Sequence, residues 1–211
     1  MPKRMVAESL GNTCSAHSVR LGLQFKAAPF LCFYGYTGGV VAIWKVLLMI
    51  RKAIKSDCLD LAALSLQVWL QTYATEGMRA QISHYALSTF TESHFQELLN
   101  NSLCELWVYI INEHLVGFIS VDLKSTFNGE AYGYEVTTLY VSEHFQGQGI
   151  GKKLLSEIET QLGAPYWLST WVNNHQAINF YRNLGFEIVG ELNFNLDGEL
   201  HRNYVFSNAS A

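Results

Sequence analysis

"QGQGIGKKLL", Gln146 to Leu155, sets three glycines at alternate positions and then runs into two lysines and an apolar pair. Glycine in that number costs conformational entropy, so the loop must need backbone shapes or close approaches that side chains would block. The stretch before it, "AYGYEVTTLYV", reads as a long strand, and the residues from about Gly149 to Leu162 read as a helix. A glycine turn from strand to helix gathers free backbone N–H groups beside the positive end of the helix dipole. That is an anion site, best suited to phosphate or pyrophosphate. Lys152 and Lys153 oppose the dipole preference, and attraction for a bound polyphosphate gives a reason for them.

Spacing excludes two common phosphate loops. A dinucleotide fold needs GxGxxG and a carboxylate at the tip of the next strand; here the loop is "GQGIG" and "YWLSTWV" ends without one. A nucleotide P-loop needs GxxxxGK followed by Ser or Thr, and "GQGIGKKL" lacks both the spacing and the hydroxyl. On the loop alone, a plain strand–helix turn stays open.

The neighbouring segments extend the pattern. Residues 50–53 are β-type, Ser56 or Asp57 is a capping residue, and a helix runs to about Tyr73 with Leu59, Leu61, Leu64, Val68 and Leu70 on one face. "GMRAQISHYALSTF" reads as a loop with a short helix. Thr91 caps "ESHFQELLN", with Phe95, Leu98 and Leu99 inward. "ELWVYII" and "LVGFISVDL" are antiparallel strands about a tight turn at residues 112–114, and residues 127–130 form a second turn. After the glycine loop and its helix come the strand "YWLSTWV", the helix "HQAINFYRNLG" closed by Gly185, and a hairpin turning at Asp197-Gly198. The order β-α-α-β-β-β-α-β-α-β-β makes a mixed, mostly antiparallel sheet with a central parallel βαβ unit and helices on both faces, an α/β (α+β) fold.

The 211 residues suffice for one sizeable core, and 15% charged residues against 49% hydrophobic is a globular composition. The formal net charge of −4 disfavours nucleic acid. An acidic body favours a cationic or amine partner. Cys14, Cys32, Cys58 and Cys104 form no CxxC pair, so neither a zinc site nor a disulfide framework is expected, and no metal. The first 48 residues differ. "AAPFLCFYGYTGGVVAIW" is uncharged but rich in helix breakers, a poor transmembrane span and a poor secretory signal. Residues 1–48 are expected to be an upstream translation or dispensable leader, with the functional chain starting at Met49; N-terminal sequencing of the native protein decides this.

"LYVSEHFQGQGIGKKLL" together with "NNHQAINFYRNLGF" resembles the GCN5-related N-acetyltransferase (GNAT) superfamily, over residues 49–211. The family's phosphate-loop pattern is met by Gln146, Gly149 and Gly151, and its second pattern by Asn174, Ala177, Phe180, Tyr181, Gly185 and Phe186. The resemblance implies a GNAT fold in an N-acetyltransferase domain over 49–207, with acetyl-CoA as co-substrate and direct transfer to an amine. It implies that Gln146, Gly147, Gln148, Gly149, Ile150, Gly151 and Lys152 wrap the pyrophosphate, and that side chains at the glycines would stand between phosphate and amides. Leu139, Tyr140 and Val141 would line the acetyl and pantetheine arm, beside a β-bulge that splays the central strands. Asn174 would bind the same arm or cap the helix after it.

Two residues are expected to carry the chemistry. Tyr181 matches the tyrosine that protonates the departing thiolate, with a core aromatic as its alternative. Glu135 is the candidate base, with a solvent-facing or salt-bridged carboxylate equally open. By strand parity Glu135, Thr137, Leu139 and Val141 share one face. Other branches take a glutamate from the next strand, where this chain has Ser169. Trp69, Thr72, Tyr73 and Trp171 are placed near the acceptor. That acceptor is expected to be an amine of a small molecule; a protein N-terminus or lysine, and a non-catalytic acetyl-CoA-binding module, are the alternatives. A cytoplasmic location, no stable membrane association and a homodimer as one option complete the expectations.

Overall fold

The computed structural model describes residues 34–37, 40–43, 48–129, 132–196 and 198–209. Within the expected leader, β1 (Tyr34–Thr37) and β2 (Val40–Ile43) pair antiparallel, and its other residues up to 47 lie outside the described ones. The remaining strands form one seven-stranded sheet. β3 (Leu48–Lys52) pairs with β4 (Cys104–Ile111), and β4 with β5 (His114–Asp122) through a two-residue turn at Asn112 and Glu113, both at positive φ. That is the turn geometry matching the right-handed strand twist. β6 (Tyr134–Val141) continues antiparallel from β5. β7 (Tyr166–Trp171) lies parallel to β6, and β9 (Glu199–Ser207) inserts between β7 and β8 (Glu187–Leu196).

Between β3 and β4 come α1 (Cys58–Tyr73), α2 (Ala80–Thr89) and α3 (Glu92–Asn100). The loop expected before Thr91 is largely the ten-residue helix α2. Thr91 caps α3 as its sequence predicts, its hydroxyl accepting from the His94 N–H at 3.2 Å. At the start of α1 neither residue is a side-chain cap: the Asp57 carboxylate reaches back to the Ile54 N–H (2.8 Å) and is gripped in bidentate fashion by Arg51. Leu61, Leu64 and Val68 are buried, but Leu59 is exposed, because it falls off the face that packs on β4 and β5.

The sheet divides two cores. On one face Leu61, Leu64, Val68 and Phe95 pack on Val108 and Phe118. On the other, α4 (Ile150–Leu162) and α5 (His175–Asn183) bury Leu154, Ile158, Ile178 and Tyr181 against Val136, Leu168 and Phe206. Each fully buried aliphatic or aromatic side chain contributes roughly 1.5–3 kcal/mol. α5 ends as predicted at Gly185 (φ 87°), where Gly185 N–H meets the Arg182 carbonyl at 3.0 Å and Phe186 N–H the Tyr181 carbonyl at 3.1 Å. Among the described residues no helix is long and apolar enough to cross a membrane. Cys58 is buried, Cys104 half-buried, and both are free thiols.

Candidate active site

β6 and β7 run together only briefly. Their register holds for Tyr134 with Tyr166, Glu135 with Trp167 and Val136 with Leu168, and then stops. The cause is a bulge in β6: Ser120 of β5 faces Thr138 while Val121 faces Val136, so Thr137 is the extra residue. The Thr137 hydroxyl fixes it, lying 2.7 Å from Ser120 Oγ. From Thr137 to Val141 no strand pairs with the β7-facing edge of β6, while β7 stays bonded to β9 along Trp167–Trp171. A strand edge of that kind offers N–H and C=O groups to an extended, amide-bearing ligand.

The bulge also corrects the strand parity. An extra residue turns the strand over, so Glu135 does not share a face with Leu139 and Val141. Val136, Leu139 and Val141 pack with the α4/α5 core, and Tyr140 packs with the α1/α3 core, edge-on to Phe118. The bulge lies two residues earlier than the Leu139–Val141 stretch to which the resemblance assigned it. Glu135 pairs with Trp167 in the parallel register, so it lies on the α1/α2 side of the sheet, whereas Val136, Leu168 and Tyr181 meet on the α4/α5 side. The split in the sheet joins the two sides.

One cavity of about 1050 Å³ runs through that split. Its lining includes Glu135, Leu139, Tyr140, Val141, Tyr181 and Asn174, together with Gln146, Gly147, Gly149, Ile150, Gly151 and Lys152. Gln148 is turned aside, its amide donating to the His144 carbonyl at 3.2 Å. Lys153 is also diverted: its ammonium meets Tyr109 Oη at 3.2 Å on the far side of α4, so Lys152 is the cation left on the cavity.

The glycines separate into two roles. Gly147 (φ 73°) and Gly149 (φ 76°) hold left-handed backbone, and a Cβ at either would project into open space. The first intrahelical bond of α4 joins Lys153 N–H to the Gly149 carbonyl (3.1 Å), leaving the N–H groups of Ile150, Gly151 and Lys152 directed out of the helix end. A bare, amide-rich concavity at a helix N-terminus fits a pyrophosphate. Gly151 has another reason: a Cβ there would stand 3.1 Å from the Phe180 ring, so this glycine lets α4 and α5 approach. Gln146 braces the loop, donating to the Val141 carbonyl and accepting from the Gln176 amide, both at 3.0 Å. Asn174 caps α5 by accepting from the Ala177 N–H at 3.1 Å, while still lining the cavity.

Tyr181 is 7% exposed, enclosed by Phe180, Phe186 and Phe206. Burial pushes its phenol well above the usual tyrosine range, so it holds its proton at all ordinary pH. Glu135 accepts from Ser125 Oγ at 2.5 Å. Burial and, less, the nearby Asp122 raise its carboxyl, against the lowering effect of the Ser125 hydrogen bond. The arrangement sets a protonated phenol and a carboxyl group on opposite sides of an open strand edge.

The residues expected near the acceptor lie in an aromatic layer. Trp69 stacks between Tyr73 (4.8 Å) and Tyr85 (4.9 Å), and Tyr73 stacks on Trp171 (5.3 Å). Trp69, Thr72 and Tyr73 line the cavity; Trp171 does not, and backs Tyr73 instead. Tyr85, Phe90, Phe194 and Asn203 also line it and were not legible in the sequence, because α2 and the final hairpin meet α1 only in the folded chain.

The fold and site define an acetyl-CoA-type acyltransferase scaffold, and the sequence profile of the acetyltransferase (GNAT) family matches residues 66–186, more than half of the chain. The chain belongs to that family. Over 88 residues it is 34% identical to the spermine/spermidine N(1)-acetyltransferase of Bacillus subtilis, covering 38% of this chain and 58% of that protein. Over 113 residues it is 32% identical to a peptidyl-lysine N-acetyltransferase of Salmonella typhimurium, covering 51% of this chain and 69% of that one. In structure it resembles the PaiA N-acetyltransferase of Thermoplasma acidophilum in complex with coenzyme A, with a TM-score of 0.62 and 19% identity over 78% of this chain and 99% of that one.

Proposed function

We propose that this protein is an acetyl-CoA-dependent N-acetyltransferase that transfers the acetyl group directly to a primary amine of a small molecule. The observation that carries this reading is the unpaired edge of β6 beyond Val136, with the bare helix N-terminus at one end and Glu135 and Tyr181 on its two sides. The loop at Gln146–Lys152 holds the pyrophosphate, and the free strand edge pairs with the pantetheine amides. Glu135, its carboxyl raised by burial, takes a proton from the acceptor ammonium so that the nitrogen can attack the thioester carbon. As the carbon–sulfur bond breaks, Tyr181 gives its phenolic proton to the sulfur, and the second proton shed by the attacking nitrogen passes through solvent to restore the phenol. The family membership and the relatives named as amine acetyltransferases support the transfer.

A small acceptor is favoured over a peptide because the acceptor end is clasped. Arg79, just before α2, makes a bidentate ion pair with Glu199 at the hairpin tip, and Leu196 is buried against Trp69, Ile82 and Ala86. The test is release of free thiol from acetyl-CoA in the presence of an amine panel. Amine-dependent release supports the reading; tight binding with no release for any amine or peptide leaves only a binding module.

A further inference from the structure

The acceptor end of the cavity is built for an amine that carries one cation and an apolar body. Trp69, Tyr73, Tyr85, Phe90 and Phe194 line it, and both faces of Trp69 are covered by neighbouring rings, so the wall is a packed apolar layer. Glu135 is the one carboxylate among the described residues lining the cavity. Glu199, on the same hairpin as Phe194, is already paired with Arg79. A polyamine brings two or more cations; once its reacting nitrogen faces Glu135, each further ammonium meets rings and neutral groups at a desolvation cost. The relatives named for spermine therefore do not predict this pocket's occupant.

A second observation is independent of the rings. Asn203, on β9, is 9% exposed, lines the cavity, and its Oδ1 takes no hydrogen bond among the described residues. It sits across from Trp171, the ring that backs Tyr73, so it belongs to the acceptor side. A buried amide without a partner is costly unless something supplies one. We infer that the acceptor is a small primary monoamine with an apolar, ring-sized body and one hydrogen-bonding group, and that Asn203 holds that group.

This inference rests on the transferase reading, and the experiment separates the two. Full-length protein is assayed for thiol release with tyramine, phenethylamine, spermidine and a short peptide. The expected result is turnover of the two arylalkylamines, with spermidine and the peptide at least about tenfold poorer in kcat/KM, as one unpaired buried cation costs at least that factor. Asn203→Leu is then expected to raise KM for tyramine by about tenfold, one neutral hydrogen bond, with kcat and the KM for phenethylamine little changed. Asn203→Ser, which is smaller and keeps a polar group, should show the same direction with a smaller shift. Preferred turnover of spermidine, or an equal KM rise for both arylalkylamines, overturns this inference while the transferase stands. No turnover with any acceptor removes the transferase reading and this inference with it.

Discussion

Tyr181 and Glu135 sit in environments that shift both groups in the same direction for opposite uses. Burial keeps the Tyr181 phenol protonated, so in the proposed reaction it would deliver its proton only to a strongly basic neighbour such as a thiolate leaving into the same low dielectric. Tyr181→Phe removes one hydroxyl and no ring contact. It is expected to lower kcat by about 10²-fold or more with acetyl-CoA affinity nearly unchanged, measured by steady-state kinetics and calorimetry; a loss below tenfold would contradict the acid role. Glu135 is raised mainly by burial, which places the acidic limb of kcat/KM above the ordinary carboxylate range. Glu135→Gln should depress kcat/KM most at low pH and recover partly as pH rises and neutral amine becomes available. The same shift has a stability sign. The folded state binds the Glu135 proton more tightly than the unfolded chain, so its favourable contribution is present below the ordinary carboxyl pKa and is lost as pH rises through the raised value. Glu135→Gln should therefore melt higher than the parent at neutral pH, with the difference vanishing in acid. An unchanged or lower Tm at neutral pH would show that the carboxylate is held by interactions stronger than its desolvation.

At the scale of elements, the strand–loop–helix at Val141–Leu162 shows how far sequence reaches. Its glycines announced a bare helix end because spacing alone carries that information. The separate role of Gly151 was hidden, since Phe180 comes from another helix. Two substitutions distinguish the roles. Gly149→Val, at φ 76°, strains the loop and obstructs phosphate; it should abolish the extra thermal stabilisation that acetyl-CoA gives over dephosphorylated pantetheine analogues. Gly151→Val instead pushes on Phe180 and should cost about 1–3 kcal/mol in denaturant unfolding even without ligand. Equal behaviour of the two variants would undo the distinction. The turn at Asn112–Glu113, the Thr91 cap and the Gly185 stop were likewise legible, each being set within a few residues. The bulge at Thr137 was not, because it depends on Ser120 across the sheet, and with it went the facing of Glu135. Asp57 shows the same limit: its helix-start position was readable, its grip by Arg51 from β3 was not. That pair holds the Asp57 carboxyl below its usual range, so its stabilisation is present above the unfolded pKa and lost as pH falls through the depressed one. Asp57→Asn should lower Tm at neutral pH and converge with the parent in acid.

Across the whole molecule, the aromatic end of the cavity forms where the two ends of the domain meet. α1 and α2 supply Trp69, Tyr73 and Tyr85, the last hairpin supplies Phe194, Leu196 and Asn203, and Arg79–Glu199 joins them at the surface. Leu196 is 1% exposed against Trp69, Ile82 and Ala86, so the apolar contact carries the cohesion of this end. The ion pair is exposed on both sides, so solvent and salt screen it and it adds little to global stability. Its leverage is local: it ties the residue before α2 to the start of β9 and, in the proposed reading, steadies the acceptor end of the cavity. Arg79→Ala should therefore leave Tm and acetyl-CoA affinity almost unchanged while raising the acceptor KM at low ionic strength. The parent should drift toward the variant as salt is raised, because the Debye length falls from about 10 Å at 0.1 M to about 3 Å at 1 M. Steady-state kinetics at two salt concentrations decide it. Identical acceptor KM values for parent and variant at low salt would mean that the hairpin is held by Leu196 and its aromatic neighbours alone, and that the clasp has no part in closing the site.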